Sequence, residues 1–401
     1  MIRRFLPYLL VSLALVALVI GVFAIDGSGG DETSFAPPIC KGPQGKCSWS
    51  TQLLPSPGPG TSSDFEDASC PSPAVCVAVG NRQSGGKGFA EIWSGSAWES
   101  IGDLAGTVKA ISCPTPTRCL AVGNNPPQSW RLERRDTSGD SEWEIRPLSP
   151  PQPKSWSELI INDVSCTSGT ACLIAGTYWE SGYKNYAARW DGSGWELELP
   201  PNPKDEVAAP THGILGLSCA SSTFCVTVGA FKLRPFVEHW DGSKWEIVPA
   251  PHPEGSPSAS LEGVSCTSAS ACIAVGSVMD KKTRTEPFAE RWDGNEWSIV
   301  ETPALENKGY VLLRSVACLT EGSCLAVGSS AYPAPSTEAE VTVAMTWNGS
   351  KWTLQPSPNP KPFSQFAGVS CSARNACIAV GRAGTDWKAD AVAAPLAARL
   401  R

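Results

Sequence analysis

Histidine is scarce in this chain, with only His212, His239 and His252 among 401 residues. That leaves little room for imidazole acid–base chemistry or for a histidine-based metal site. An excess of positive charge is also missing, since the formal net charge is -7. Nucleic acid and anionic lipid surfaces both call for a dense basic patch, so neither is expected as the main partner. No G-x-S-x-G elbow, P-loop or H-E-x-x-H motif occurs. The common single-segment catalytic signatures are therefore absent, although a site assembled from scattered loops is not excluded by that.

What is present begins with "MIRRFLPYLLVSLALVALVIGVFAIDGSGG". Arg3 and Arg4 precede an apolar run from Phe5 to Ile25 that is about long enough to cross a bilayer, with the arginines holding its start in the cytoplasm. We read residues 1–25 as an uncleaved signal anchor. The alternative is a signal peptide cut after Ala24. Both place the chain beyond Asp26 outside the cytoplasm, membrane-anchored by one N-terminal helix or secreted. Residues 26–46 read as a linker.

Cysteine supplies the next signal. Cys70, Cys113, Cys166, Cys219, Cys266, Cys318 and Cys371 recur 43 to 53 residues apart, and each is followed six positions later by a partner: Cys76, Cys119, Cys172, Cys225, Cys272, Cys324 and Cys377. Cys40 and Cys47 make an eighth, differently spaced pair. Sixteen cysteines in an exported chain read as disulfides. Zinc sites want ligands two to four residues apart or clustered with histidine, so no metal and no cofactor is expected.

Each cysteine pair flanks a short turn between two apolar runs, as in "GVSCTSASACIAVG" (263–276). A second half follows, as in "FAERWDGNEWSIVETP" (288–303), where a strand-like run reaches a tight Asp-Gly turn and a further strand starts at Trp297. The unit is thus four short antiparallel strands repeated every 40 to 55 residues or so, the pattern of propeller blades. The fourth-strand tryptophan appears at Trp98, Trp143, Trp195, Trp245, Trp297 and Trp352, six copies against seven cysteine pairs, and the missing one stands ahead of the first blade at Trp49. We therefore expect an all-β, seven-bladed β-propeller over residues 47–401, closed by its N-terminal strand so that no sheet edge is left open. Each disulfide then staples the first hairpin of its blade, contributing about 2 kcal/mol for so short a loop.

The "WDGSGW", "WDGSKW", "WDGNEW" and "WNGSKW" turns, starting at Trp190, Trp240, Trp292 and Trp347, resemble Asp-box turns in their placement between third and fourth strands. They depart from that pattern in lacking the serine two residues before the aspartate and in having the tryptophan one residue closer. Taken with the cysteine pairs, residues 47–401 resemble the broad superfamily of kelch and Asp-box propellers. They are more similar still to secreted or membrane-anchored bacterial proteins built from cysteine-paired blades. That resemblance implies a fold and no activity.

The repeats differ in the loops after "AVG" and before the next "VSC", which share one rim, and variable loops on a uniform scaffold are the natural place for recognition. Four residues before each first cysteine stand Glu66, Lys109, Asn162, Leu215, Glu262, Arg314 and Ala367, expected at the mouth of the central channel. The binding candidates are Glu66, Lys109, Asn162, Glu262 and Arg314, together with the loop aromatics Trp156, Trp179, Tyr183, Tyr310 and Trp387. The chain reads as a monomeric, non-enzymatic extracytoplasmic binding module for a cell-envelope polysaccharide or an extracellular protein. The alternative is a glycoside hydrolase or polysaccharide lyase using carboxylates such as Glu66 and Glu262.

Overall fold

A computed structural model of the chain describes residues 39–40, 46–54, 62–83, 86–137, 140–203, 213–305, 309–331, 339–385 and 393–400. The segment read as an anchor or signal peptide, residues 1–25, lies outside them. The described elements are 28 strands, and their pairing divides them into antiparallel quartets. Blade 5 shows the plan: Ser258–Ser268, Ala271–Met279, Thr285–Trp292 and Trp297–Ile299 pair in chain order. Blade 1 runs through Ser63–Ser72, Val75–Arg82, Lys87–Trp93 and Trp98–Leu104. The seventh quartet takes three strands from the C-terminus, Phe363–Ala373, Ala376–Gly384 and Ala393–Leu400, and its outer strand, Trp49–Leu53, from the N-terminus. There Trp49 opposes Leu400 and Leu53 opposes Leu396. First strands of neighbouring blades pack on one another, and the seventh packs on the first, so the array is a closed propeller ring.

Burial explains the residue pattern. The second strand of each blade is covered on both faces by the adjoining blades, so it reads as a continuous apolar run, Cys272 to Gly276 being wholly buried. Outer strands keep little beyond their leading tryptophan inside, as in Trp297-Ser298-Ile299, where only the tryptophan is buried. That tryptophan packs on the one ending the third strand, with ring centroids 5.4 to 5.9 Å apart in five blades. The Asp-Gly turn between them is held by the aspartate itself. Asp191 Oδ1 accepts from the Ser193 and Gly194 amides and the Ser193 hydroxyl, and these bonds hold its pKa down at about 2.

Seven disulfides join directly neighbouring positions on the first and second strands, with α-carbons 4.0 Å apart. The eighth, Cys40–Cys47, sits beside the closing strand. No cysteine is free, a state that belongs to an oxidising compartment. Ile39 and Cys40, in the segment read as a linker, are buried with Phe366, Leu396 and Leu400 of the seventh blade. The closing strand is tied further by Trp49 Nε1 donating to the Pro356 carbonyl and by the Cys47 amide donating to Gln355 Oε1, both acceptors belonging to the sixth blade's outer end.

The serine of the recurring "VSC" has a role that sequence reading missed. Its hydroxyl accepts from the first-cysteine amide of the next blade. Ser69 binds Cys113, Ser112 binds Cys166, Ser165 binds Cys219, Ser218 binds Cys266, Ser265 binds Cys318 and Ser370 binds Cys70, at 2.9 to 3.0 Å. The exception is Ala317 in blade 6. Two positions earlier, Ser315 accepts from the Val369 amide at 3.2 Å, a separate bond to the next blade.

Candidate functional site

In all seven blades the first strand carries a bulge. Phe65 opposes Gly80 and Asp67 opposes Val79, so Glu66 between them has no cross-strand partner, and the same skip falls at Lys109, Asn162, Leu215, Glu262, Arg314 and Ala367. A bulge turns the extra residue out of the alternation of its strand. Here it turns that side chain toward the ring axis. The glycine of "AVG" makes the bulge possible, because a β-carbon at Gly276 would lie 2.0 Å from the Ser260 carbonyl oxygen, and the six equivalent glycines are as tight.

The seven bulge residues line one axial cavity of about 320 Å³. On one side Lys109 Nζ meets Glu66 Oε2 at 2.9 Å, Asn81 reaches Glu66 Oε1 at 3.2 Å, and Asn162 donates to the Ile214 carbonyl at 2.7 Å. The other side is less committed. Glu262 accepts only from Ser260 on its own strand, at 2.9 Å, and Arg314 is exposed with no hydrogen-bond or ion-pair partner among the described residues.

Sequence reading missed the next residue along the strand. Asp67 accepts from the Ile111 amide and Asp163 from the Leu217 amide, each stitching its blade to the next at 2.9 and 2.6 Å. Burial pushes Asp67 up to about 7, and burial together with the Asp67 carboxylate pushes Asp163 up to about 8. Asp64 rises to about 6 through burial and the nearby Glu66 charge. Two carboxyl groups of the channel wall are thus raised well above the ordinary carboxylate range, beside the Glu66, Lys109, Glu262 and Arg314 side chains.

The described loop aromatics do not join the channel. Trp156, Trp179 and Tyr183 come from adjoining backbone on blade 3, where the Ser157 amide donates to the Trp179 carbonyl and the Trp179 and Tyr183 rings meet edge-on at 5.0 Å. Trp156 is half-buried against that blade's core. Tyr310 stands apart on blade 6, 46% exposed. Trp387 lies outside the described residues. His239 is structural: burial lowers its pKa to about 4, and Nε2 accepts from Trp297 Nε1 across the joint of blades 4 and 5.

No protein-family model matches the chain, and no curated protein matches it in sequence. Among solved structures it is similar to a protein of unknown function from Dyadobacter fermentans, at 12% identity and a TM-score of 0.47 over 88% of this chain and 98% of that one. It is also similar to the Aleuria aurantia fungal lectin, a six-bladed β-propeller with a fucose recognition mode, at 14% identity and 0.43 over 78% and 100%. A third likeness is to the RRP9 WD40 repeats, at 9% identity and 0.41 over 73% and 94%. By its own strand pairing, the chain is a β-propeller of four-stranded antiparallel blades.

Proposed function

We propose that the chain is an extracytoplasmic binding module, tethered or released by its N-terminal segment, that takes its ligand at the channel mouth and the adjoining variable rim. One observation carries the reading. A ring that is otherwise repetitive presents six kinds of side chain at seven bulge positions into a single cavity. Uniform blades need no such variety for their own packing, so the variety belongs to recognition. A cell-envelope polysaccharide or an extracellular protein fits the mixture of charge, amide and small apolar groups. The blade 3 aromatics offer an additional stacking surface.

The test is incubation of the full-length chain in detergent with a panel of envelope polysaccharides, following both retention and the release of shortened or unsaturated products. Retention without product supports the module. Product formation favours the second reading, a glycoside hydrolase or lyase. That reading draws on the raised carboxyl groups of Asp67 and Asp163 in the channel wall, which resemble the raised acids such enzymes need. Both are engaged in joining blades, which weighs against it.

A further inference from the structure

The opposite rim, where the disulfide turns lie, carries a second kind of site. At the joints of blades 3 and 4, 5 and 6, and 7 and 1 lies a groove walled by the residue just before the end of one blade's third strand; the disulfide turn of the next blade lines the first two, and the next blade's third-strand tryptophan lines the first and the last. Arginine occupies the first of these positions at all three, as Arg189, Arg291 and Arg399, each opposite the residue after the second cysteine. Arg189 pairs with Glu196 and Glu198 of its own blade, which leaves Arg291 and Arg399 as the two that look to the next blade. The tryptophans facing them are Trp347 and Trp93, both opposite the second cysteine of their own blades.

Between blades 5 and 6 one residue satisfies both. Glu321, three residues after Cys318, accepts from Arg291 Nη2 through its carboxylate at 3.2 Å and from Trp347 Nε1 through its backbone carbonyl at 3.1 Å. With Glu321 in place the groove is closed. Between blades 7 and 1 the corresponding turn residue is Pro73, which carries no acid. The Arg399 guanidinium lies over the Trp93 ring, 5.4 Å from its centroid, with no acidic or hydrogen-bonding partner among the described residues. Trp93 is 8% exposed and its indole N–H has no acceptor. Beside them is a cavity of about 410 Å³, lined also by Gln52, Ser96 and Trp98.

We infer that the groove between blades 7 and 1 binds an acidic residue of another polypeptide. Two buried or stacked donors lack acceptors where an equivalent joint supplies them from a glutamate, and the missing acceptors are a side-chain carboxylate and a backbone carbonyl. An acidic residue in a peptide brings both. A guanidinium placed over an indole face still has donors for a planar carboxylate, the partner arginine binds most strongly. This site is separate from the channel and does not depend on what the channel binds.

The probe is the acetylated, amidated pentapeptide Leu-Thr-Glu-Gly-Ser, the chain's own residues 319–323, titrated into the full-length protein in detergent and followed by calorimetry and the Trp93 indole N–H resonance. Saturable binding is expected, with a shift of that resonance. Replacing the peptide's glutamate by glutamine, or making Arg399→Met, should weaken it by about tenfold or more. Arg399→Lys, which keeps the charge and the fold, should retain part of the affinity. Pro73→Glu should abolish binding by filling the groove from within. Absence of saturable binding, equal affinity for the glutamine peptide, or glucuronate binding as tightly as the peptide would each overturn the assignment.

Discussion

Glu290 and Glu238 occupy the same register, two residues before the tryptophan that ends the third strand, and both are 0% exposed. Their surroundings differ. Glu238 accepts from Asn185 Nδ2 in the preceding blade and from Thr227 Oγ1 opposite it, each at 3.2 Å. At the positions corresponding to those donors, blade 5 sees Pro235 and Ala274, and neither Glu290 oxygen has a partner. Burial raises the Glu290 pKa from an ordinary 4.5 to about 8. The protonated form is therefore the one the fold accepts. Its stabilising effect is fully present below about pH 4.5 and is lost as pH rises through about 8, by at most about 5 kcal/mol for a shift of this size. Blade 6 places Met345, also fully buried, at this position, so Glu290→Met is a replacement the scaffold already accommodates. The variant should match the parent in melting temperature near pH 5 and exceed it at pH 9 by about 5 °C for a domain of this length. Thermal unfolding from pH 5 to 9, disulfides intact, reads the difference. A difference that does not change with pH would refute the reasoning.

The serine ring offers a gain as well as a loss. Ala317→Ser should add the missing bond to the Cys371 amide and stabilise by about 1 kcal/mol, whereas Ser265→Ala should cost about as much or more by stranding the Cys318 amide, both measured by denaturant titration. Deleting residues 47–60 should leave the Ala393–Leu400 strand as an open edge and convert the protein to aggregates in size-exclusion chromatography. A stable monomer after that deletion would mean the ring closes in another way.

The disulfide pairing, the Asp-Gly turns and the closing role of Trp49 were legible because each is written within one repeat or in the count of repeats. Cys266 and Cys272 are six residues apart, and Trp292 and Trp297 are five. The bulge was not legible, since its cause is the approach of Gly276 to the Ser260 carbonyl across a hairpin. Its signal was nevertheless present in the glycine that closes every "AVG"-like run within the second strand. Apart from Ser370 and Cys70, which close the ring across 300 positions, the serine ring and the Asp67 and Asp163 stitches join residues 44 to 54 positions apart in adjoining blades, and a single repeat gives no sign of its neighbour. The same holds for Arg399 and Trp93, which meet only because the two ends of the chain share a joint. The channel residues were found from their register, four before each first cysteine. Their grouping into a paired half and an open half follows from side-chain reach that register does not encode.

The most direct test of the central proposal compares the full-length chain with Glu262→Ala and Arg314→Ala variants, checked for unchanged thermal unfolding, against whichever envelope polysaccharide or protein the parent retains. Loss of retention in these variants by about tenfold or more is the expected result, since each removes a charged contact in the open half of the channel. Undiminished retention in both would contradict the channel as the site of recognition.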